Sequence, residues 1–218
     1  MAPANDVVFL FDVDNTLLDN DTVAADLSRH LLDLFGAEGE QRYWALFEEL
    51  WRELGYADYL GAFQRFRVER PRDPRTMRAA LFLLQYPFAA RVFPGALDAI
   101  AALRRRARVV ILSDGDAVAQ PNKVTRSGLE EAVGGDVLIY IHKEAMLDEV
   151  ERNYPARRYV MVDDKIRILA AIKAIWLERV ITVFVRQGSY AANRAEVARY
   201  PPADRAIDRI GEIADVAL

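Results

Sequence analysis

The 218-residue chain contains no cysteine. Disulfides, thiolate metal sites and thiol nucleophiles are therefore excluded. Histidine is scarce as well: His30 and His142 are the only two, too few for an imidazole-rich metal site. Any metal would be a hard, oxygen-bound cation, and Mg²⁺ fits that description best. No apolar run reaches the length of a membrane span. The opening residues MAPANDVV lack the charged and apolar regions of a secretory leader, so the expectation is a cytoplasmic protein with no membrane partner. An excess of one charge is also missing. With 29 Lys and Arg against 33 Asp and Glu, the net charge is −4. That leaves no electrostatic footprint for nucleic acid, and any anion must be held by a local positive site. Internal repeats and low-complexity segments are absent too.

Hydrophobic residues are plentiful, at 52%, enough for a well-packed core. Five short runs concentrate them: VVFLFDV (7–13), VVILSD (109–114), VLIYIH (137–142), YVMVDD (159–164) and ITVFVR (181–186). Each is apolar almost without alternation, as in strands covered on both faces of a parallel sheet. Helical patterns lie between them at 94–108, 143–154 and 166–178, with Leu97, Ile100, Ala101 and Leu103 on one face of the first. Strands alternating with helices predict a doubly wound α/β sheet.

Residues 19–90 break this alternation. They hold no strand-like run but four amphipathic patterns, at 22–35, 41–54, 56–66 and 74–86, punctuated by Gly36, Gly39, Gly55 and Pro71. The expected organisation is a core of residues 1–18 and 91–218, with a helical domain of residues 19–90 inserted after the first strand. Aromatic residues of the insertion, Tyr43, Trp44 and Phe63 among them, recur at helical spacing and are expected mainly in its core. The arginines between 65 and 75 and the RRRAR run at 104–108 are expected as solvated charge.

Polar residues collect at the carboxyl ends of the predicted strands. The first strand delivers Asp12, Asp14 and Thr16; the second Ser113 and Asp114; the third His142 and Lys143; the fourth Asp163 and Asp164. Ligands of open parallel sheets bind at that edge. Carboxylates this dense repel one another unless a divalent cation and an ammonium group sit among them.

The set resembles the haloacid dehalogenase-like hydrolase superfamily over nearly the whole chain. Asp12-Val13-Asp14-Asn15-Thr16 resembles its first motif, Ser113 its second, Lys143 the lysine of its third, and Asp163-Asp164 the acidic pair of its fourth. The insertion is similar to the family's C1-type cap. The resemblance implies a Rossmann-like core and a catalytic set of Asp12, Asp14, Ser113 and Lys143. Asp12 would be the nucleophile that forms an aspartyl-phosphate, and Asp14 the general acid and base. Ser113 and Lys143 would hold phosphoryl oxygens. Mg²⁺ would be bound by Asp12, the backbone carbonyl of Asp14, and one or both of Asp163 and Asp164.

The implied activity is hydrolysis of a small phosphorylated metabolite, since in the family the phosphatases and phosphomutases carry the second aspartate and the dehalogenases lack it. A phosphomutase or phosphotransferase, or a binding protein with little turnover, are the alternatives. Two departures from the family pattern stand out: Asp163 replaces a glycine, and Ile168 occupies the position of a distal acid. Lys123 is a second candidate for the phosphate-binding lysine, and Lys165 could compensate charge beside the acidic pair.

Overall fold

Strand β1 (Asn5–Phe11) is apolar on both faces because both are covered. Phe9 and Phe11 pack with Val109, Ile111, Val160 and Val162 on one side of the sheet, while Val8 and Leu10 pack with Val110, Leu112 and Met161 on the other. In the computed structural model, which describes residues 5–216, β1 lies in a six-stranded sheet of order β3-β2-β1-β4-β5-β6. The partners are β2 (Arg108–Asp114), β3 (Val137–Tyr140), β4 (Ala156–Asp163), β5 (Val180–Val185) and β6 (Arg205–Ile207). Every pairing is parallel. The chain runs outward from β1 to β3 and then returns to the other side of β1 at β4. That reversal opens a crevice at the strands' carboxyl ends, between β1 and its neighbours.

The first five strands match the apolar runs of the sequence. The sixth was not expected: it is three residues long, and Arg205 and Ala206 are exposed, so its sequence carries no buried run. Helix α4 (Ala96–Arg104) covers one face of the sheet through Ile100 and Leu103, with α5 (Ala119–Arg126) and α6 (Leu129–Val133) beside it. Helices α7 (Leu147–Asn153) and α8 (Ile166–Trp176) cover the other through Leu147, Val150, Leu169 and Ile172. The helix expected over 143–154 begins later, because residues Lys143–Ala145 form a 3-10 turn first. Phe9 and Phe11 are at most 1% exposed, and truncating either to alanine would cost about 3–5 kcal/mol.

Between β1 and β2 lie α1 (Asn20–Leu54), α2 (Tyr59–Glu69) and α3 (Arg75–Leu84). The two helices expected at 22–35 and 41–54 are the two arms of α1, bent where Gly36 adopts φ 73°. Asp19 starts the helix, accepting from the Thr22 amide at 2.9 Å. The aromatic residues fill the space between the helices: Tyr43 packs against Trp44, Phe63 and Phe66, and the His30 ring stacks on Phe82 at 4.2 Å. Arg65 pairs with Glu53 and Arg75 with Asp73 on the surface. Arg104, Arg106 and Arg108 each bond a nearby backbone carbonyl or carboxylate. Among the described residues, no helix is long and apolar enough to cross a membrane.

Candidate active site

The first acid stands just beyond β1. The Asp12 amide still donates to the Val162 carbonyl of β4 at 3.0 Å, extending the parallel pairing by one residue. The chain then folds into a tight turn in which the Leu17 and Leu18 amides both donate to the Val13 carbonyl at 2.9 Å. Asn15 takes φ 59°, a left-handed conformation that asparagine tolerates better than most residues. Its side chain closes the turn onto the inserted helices. Asn15 Oδ1 accepts from the amides of Asn20 and Asp21 at 3.0 and 3.1 Å, satisfying donors at the start of α1. Thr16, fully buried, accepts from the Asp164 amide at 3.1 Å. That bond stitches the end of β1 to the end of β4, so the two acidic segments meet.

Asp12, Asp163 and Asp164 are all buried, and each offers a carboxylate oxygen within 4.8 Å of the others. Lys143 Nζ is wedged between two of them, 2.5 Å from Asp12 Oδ1 and 2.7 Å from Asp163 Oδ2. Its backbone is held by Asp114, which accepts from the Lys143 amide at 2.7 Å. Burial disfavours the ammonium charge, but the carboxylates of Asp12 and Asp163 more than offset that and hold Lys143 above its usual range. The same burial pushes Asp163 up to about 6, with the Asp12 charge adding to the effect and Lys143 opposing it. Asp164 is pushed well above the ordinary carboxylate range, by burial first and by Asp163 second.

Lys123 occupies a different place. Its Nζ lies 2.6 Å from Asp14 Oδ1 and 3.0 Å from Asn20 Oδ1. Of the two candidate lysines, Lys143 meets Asp12 and Asp163, whereas Lys123 meets Asp14. Ser113 is 1% exposed, and its Oγ accepts from Gln120 Nε2 at 2.9 Å. The Asp14 carboxylate stays outside the three-acid group and faces solvent more than the others, at 21% exposure. Asp116 orders the loop after β2 by accepting from the Val118 and Ala119 amides. His142 is exposed, and its ring lies against Gly55: a methyl group there would come within 2.7 Å of His142 Cε1.

The donor set fits a divalent cation. Among the described residues, Asp12 Oδ2 and both Asp164 oxygens are buried with no hydrogen-bond partner, and Asp163 Oδ2 has only the Lys143 ammonium. Leaving such oxygens unsatisfied is costly. Around them, five carboxylates (Asp12, Asp14, Asp114, Asp163, Asp164) face three ammonium groups (Lys123, Lys143, Lys165). The excess of two negative charges is what one Mg²⁺ would balance. Asp12, Asp163 and Asp164 are the side chains placed to hold it.

Gly188 suggests a turn beside this edge, but the partners of the segment that carries it have no legible sequence signal. The segment after β5 reaches back to the turn after β1: the Ser189 amide and hydroxyl donate to Asp21 at 2.7 and 2.9 Å. Gly188, at φ 73°, lies so close to Asn15 that an added Cβ would come within 2.5 Å of it. Tyr190 of α9 (Gly188–Ala192) stands under Lys165, whose Nζ is 4.9 Å from the ring centre. A cleft of about 440 Å³ opens from Asp14 and Asp114 between the inserted helices, through Trp51 and Tyr56, and the core, through Lys165, Arg167 and Tyr190. A second, of about 350 Å³, runs from Asp14 toward Asn20, Trp44 and Phe47.

The sequence profile of the haloacid dehalogenase-like hydrolases matches residues 7–175. A solved structure described as a haloacid dehalogenase-like hydrolase, from Burkholderia xenovorans LB400, shares 58% identity with this chain. The match covers 99% of this chain and 100% of that one, with a TM-score of 0.95. A haloacid dehalogenase-like family hydrolase from Xanthomonas campestris matches at 18% identity over 99% and 92% of the two chains, TM-score 0.66. The L-2-haloacid dehalogenase of Xanthobacter autotrophicus matches at 17% identity over 95% and 96%, TM-score 0.63. No curated protein matches the chain.

Proposed function

The chain belongs to the haloacid dehalogenase-like hydrolase family, and on that premise we propose that it is a Mg²⁺-dependent phosphatase of small phosphorylated metabolites. The observation that carries the reading is the buried group of Asp12, Asp163 and Asp164, with carboxylate oxygens left without partners. Bound there by these acids and the Asp14 carbonyl, Mg²⁺ would neutralise charge between the phosphoryl group and the carboxylates.

The chain's own residues then account for two steps. The Asp12 carboxylate forms a bond to phosphorus while the bond from phosphorus to the substrate oxygen breaks. Asp14 gives its proton to that oxygen, so that an alcohol leaves rather than an alkoxide. In the second step Asp14 takes a proton from water as the water oxygen attacks phosphorus, releasing phosphate and restoring Asp12. Ser113 and Lys143 hold phosphoryl oxygens through both steps. Lys123 keeps Asp14 oriented from 2.6 Å. Residues 19–90 act as the cap over a core of residues 1–18 and 91–218, excluding bulk water during the first step.

Asp14 favours this reading over dehalogenation. A halide departs without a proton, so a dehalogenase has no task for a general acid held in place by its own lysine. The likeness to structural relatives at 17% identity shows the fold alone. The test is a panel of phosphorylated metabolites and 2-haloacids, assayed with Mg²⁺ and with EDTA, using wild type and Asp12→Asn. Mg²⁺-dependent phosphate release that Asp12→Asn abolishes supports the proposal. Halide release from a 2-haloacid, or no phosphate release from well-folded protein, overturns it. Transfer to an added hydroxyl acceptor in place of water would make it a phosphotransferase.

A further inference from the structure

Four basic side chains line the clefts around the site, and three of them are already committed. Lys123 pairs with Asp14 at 2.6 Å, Arg167 with Glu144 at 2.9 Å, and Arg199 with Glu196 at 2.8 Å. Lys143, behind the clefts, is fully buried between Asp12 and Asp163. Lys165 differs from all of these. Among the described residues, no carboxylate lies within 4 Å of its Nζ and no hydrogen bond holds it. Its side chain is only partly exposed, and it lines both larger clefts together with Asp14, Trp51, Ala57 and Tyr190.

Its backbone is fixed independently of its head group. The Lys165 amide donates to Asp163 Oδ1 at 2.8 Å, and the residue directly precedes α8. Tyr190 then supports the ammonium from beneath, 4.9 Å from ring centre to Nζ, an arrangement that favours a cation without satisfying its hydrogen-bond donors. Tyr190 is itself placed by the bonds of neighbouring Ser189 to Asp21. The lysine thus has a fixed root, a supporting ring, and three N–H donors left facing the space that Asp14 also faces.

We propose that Lys165 is a substrate-binding residue whose ammonium group takes an oxyanion of the phosphorylated substrate from the cleft side, opposite Lys143. The proposal rests on the phosphatase reading and adds a residue to it. The oxyanion has two sources: the phosphoryl group being transferred, or a second acidic group on the leaving alcohol. If Lys165 instead only offsets the charge of Asp163 and Asp164, its loss changes the acid group and not the affinity for an anion.

The experiment uses the full chain with Mg²⁺. Binding of inorganic phosphate is measured calorimetrically for wild type, Lys165→Met, Lys165→Arg and Tyr190→Leu. Turnover of p-nitrophenyl phosphate and 2-phosphoglycolate follows, and Mg²⁺ affinity without phosphate reports folding and the acid group. A charge-assisted hydrogen bond lost from a partly buried site corresponds to about tenfold or more in affinity. Contact with the transferring group predicts that loss in Lys165→Met for inorganic phosphate and in kcat/KM for both esters. A milder loss is expected in Tyr190→Leu, and partial recovery in Lys165→Arg. Contact with a second acidic group predicts the loss for 2-phosphoglycolate alone, as a rise in KM. Unchanged phosphate binding and unchanged turnover of both esters in Lys165→Met, with Mg²⁺ affinity altered, overturn the proposal. Wild type that hydrolyses no phosphate ester overturns the phosphatase reading instead, a separate outcome.

Discussion

Replacing Lys143 with methionine keeps the length of the side chain and removes the one ammonium that lies between Asp12 and Asp163, at 2.5 and 2.7 Å. All three residues are at most 2% exposed, so water cannot replace the lost charge. Removing one partner of a buried ion pair costs about 3–5 kcal/mol, because the remaining charge is left uncompensated. The cost depends on pH in a definite direction. Burial already raises Asp163 to about 6 in the folded protein, above its unfolded value of about 3.9. A carboxyl raised in this way contributes stability that is intact below about pH 4 and is lost as pH rises through the folded value, at about 1.4 kcal/mol per unit. Without Lys143 the folded value moves higher, and the loss continues past pH 6. Urea denaturation of both proteins in EDTA, at pH 5 and pH 7.5, measures it. The variant should lose several kcal/mol at pH 7.5 and distinctly less at pH 5, and added Mg²⁺ should restore part of the loss at pH 7.5. A destabilisation below about 1 kcal/mol, equal at both pH values, would mean that no buried charge had been left unpaired.

Other substitutions probe the residues around this pair. Asp164→Asn removes a carboxylate whose charge burial disfavours; it should raise the melting temperature in EDTA at neutral pH while weakening Mg²⁺ affinity, both readable by thermal titration. Asp14→Asn should slow hydrolysis of alkyl phosphates by roughly 10²–10⁴-fold and spare p-nitrophenyl phosphate more, because its leaving group needs less protonation; equal losses on both would remove Asp14 from the general-acid role. Gly188→Ala combines a left-handed φ of 73° with an overlap onto Asn15 at 2.5 Å. It should cost at least about 1–2 kcal/mol by strain alone and release the Ser189 bonds to Asp21, visible as faster amide exchange at Ser189.

Much of this architecture was written in local patterns. Runs such as VVFLF and YVMV are apolar at successive positions because their strands are buried on both faces, and that signal does not depend on distant residues. The acids of the candidate site could be collected for the same reason: each ends such a run. What could not be read has a common physical cause. The strand at Arg205–Ile207 is short and mostly exposed, so pairing with β5 rather than burial defines it. The pairing of Lys123 with Asp14 spans 109 positions, and that of Ser189 with Asp21 spans 168. Periodicity reports which side of an element is buried, not which remote side chain meets it. Gly36 was legible as a break, and its φ of 73° and ψ of 179° do interrupt the helical path between the two arms of α1. Lys165 looked like compensation for the acidic pair; its uncommitted ammonium becomes visible only once Tyr190 is placed beneath it.

In the proposed mechanism Asp12 carries the phosphoryl group between two steps. Rapid acid quenching during turnover of a phosphate ester, followed by mass spectrometry of the peptide containing Asp12, tests it most directly. A phosphoryl group on Asp12 is expected to appear with Mg²⁺ and to be absent with EDTA and in Asp12→Asn. Steady turnover with no phosphoryl group on that peptide, or with the group on another residue, would contradict it.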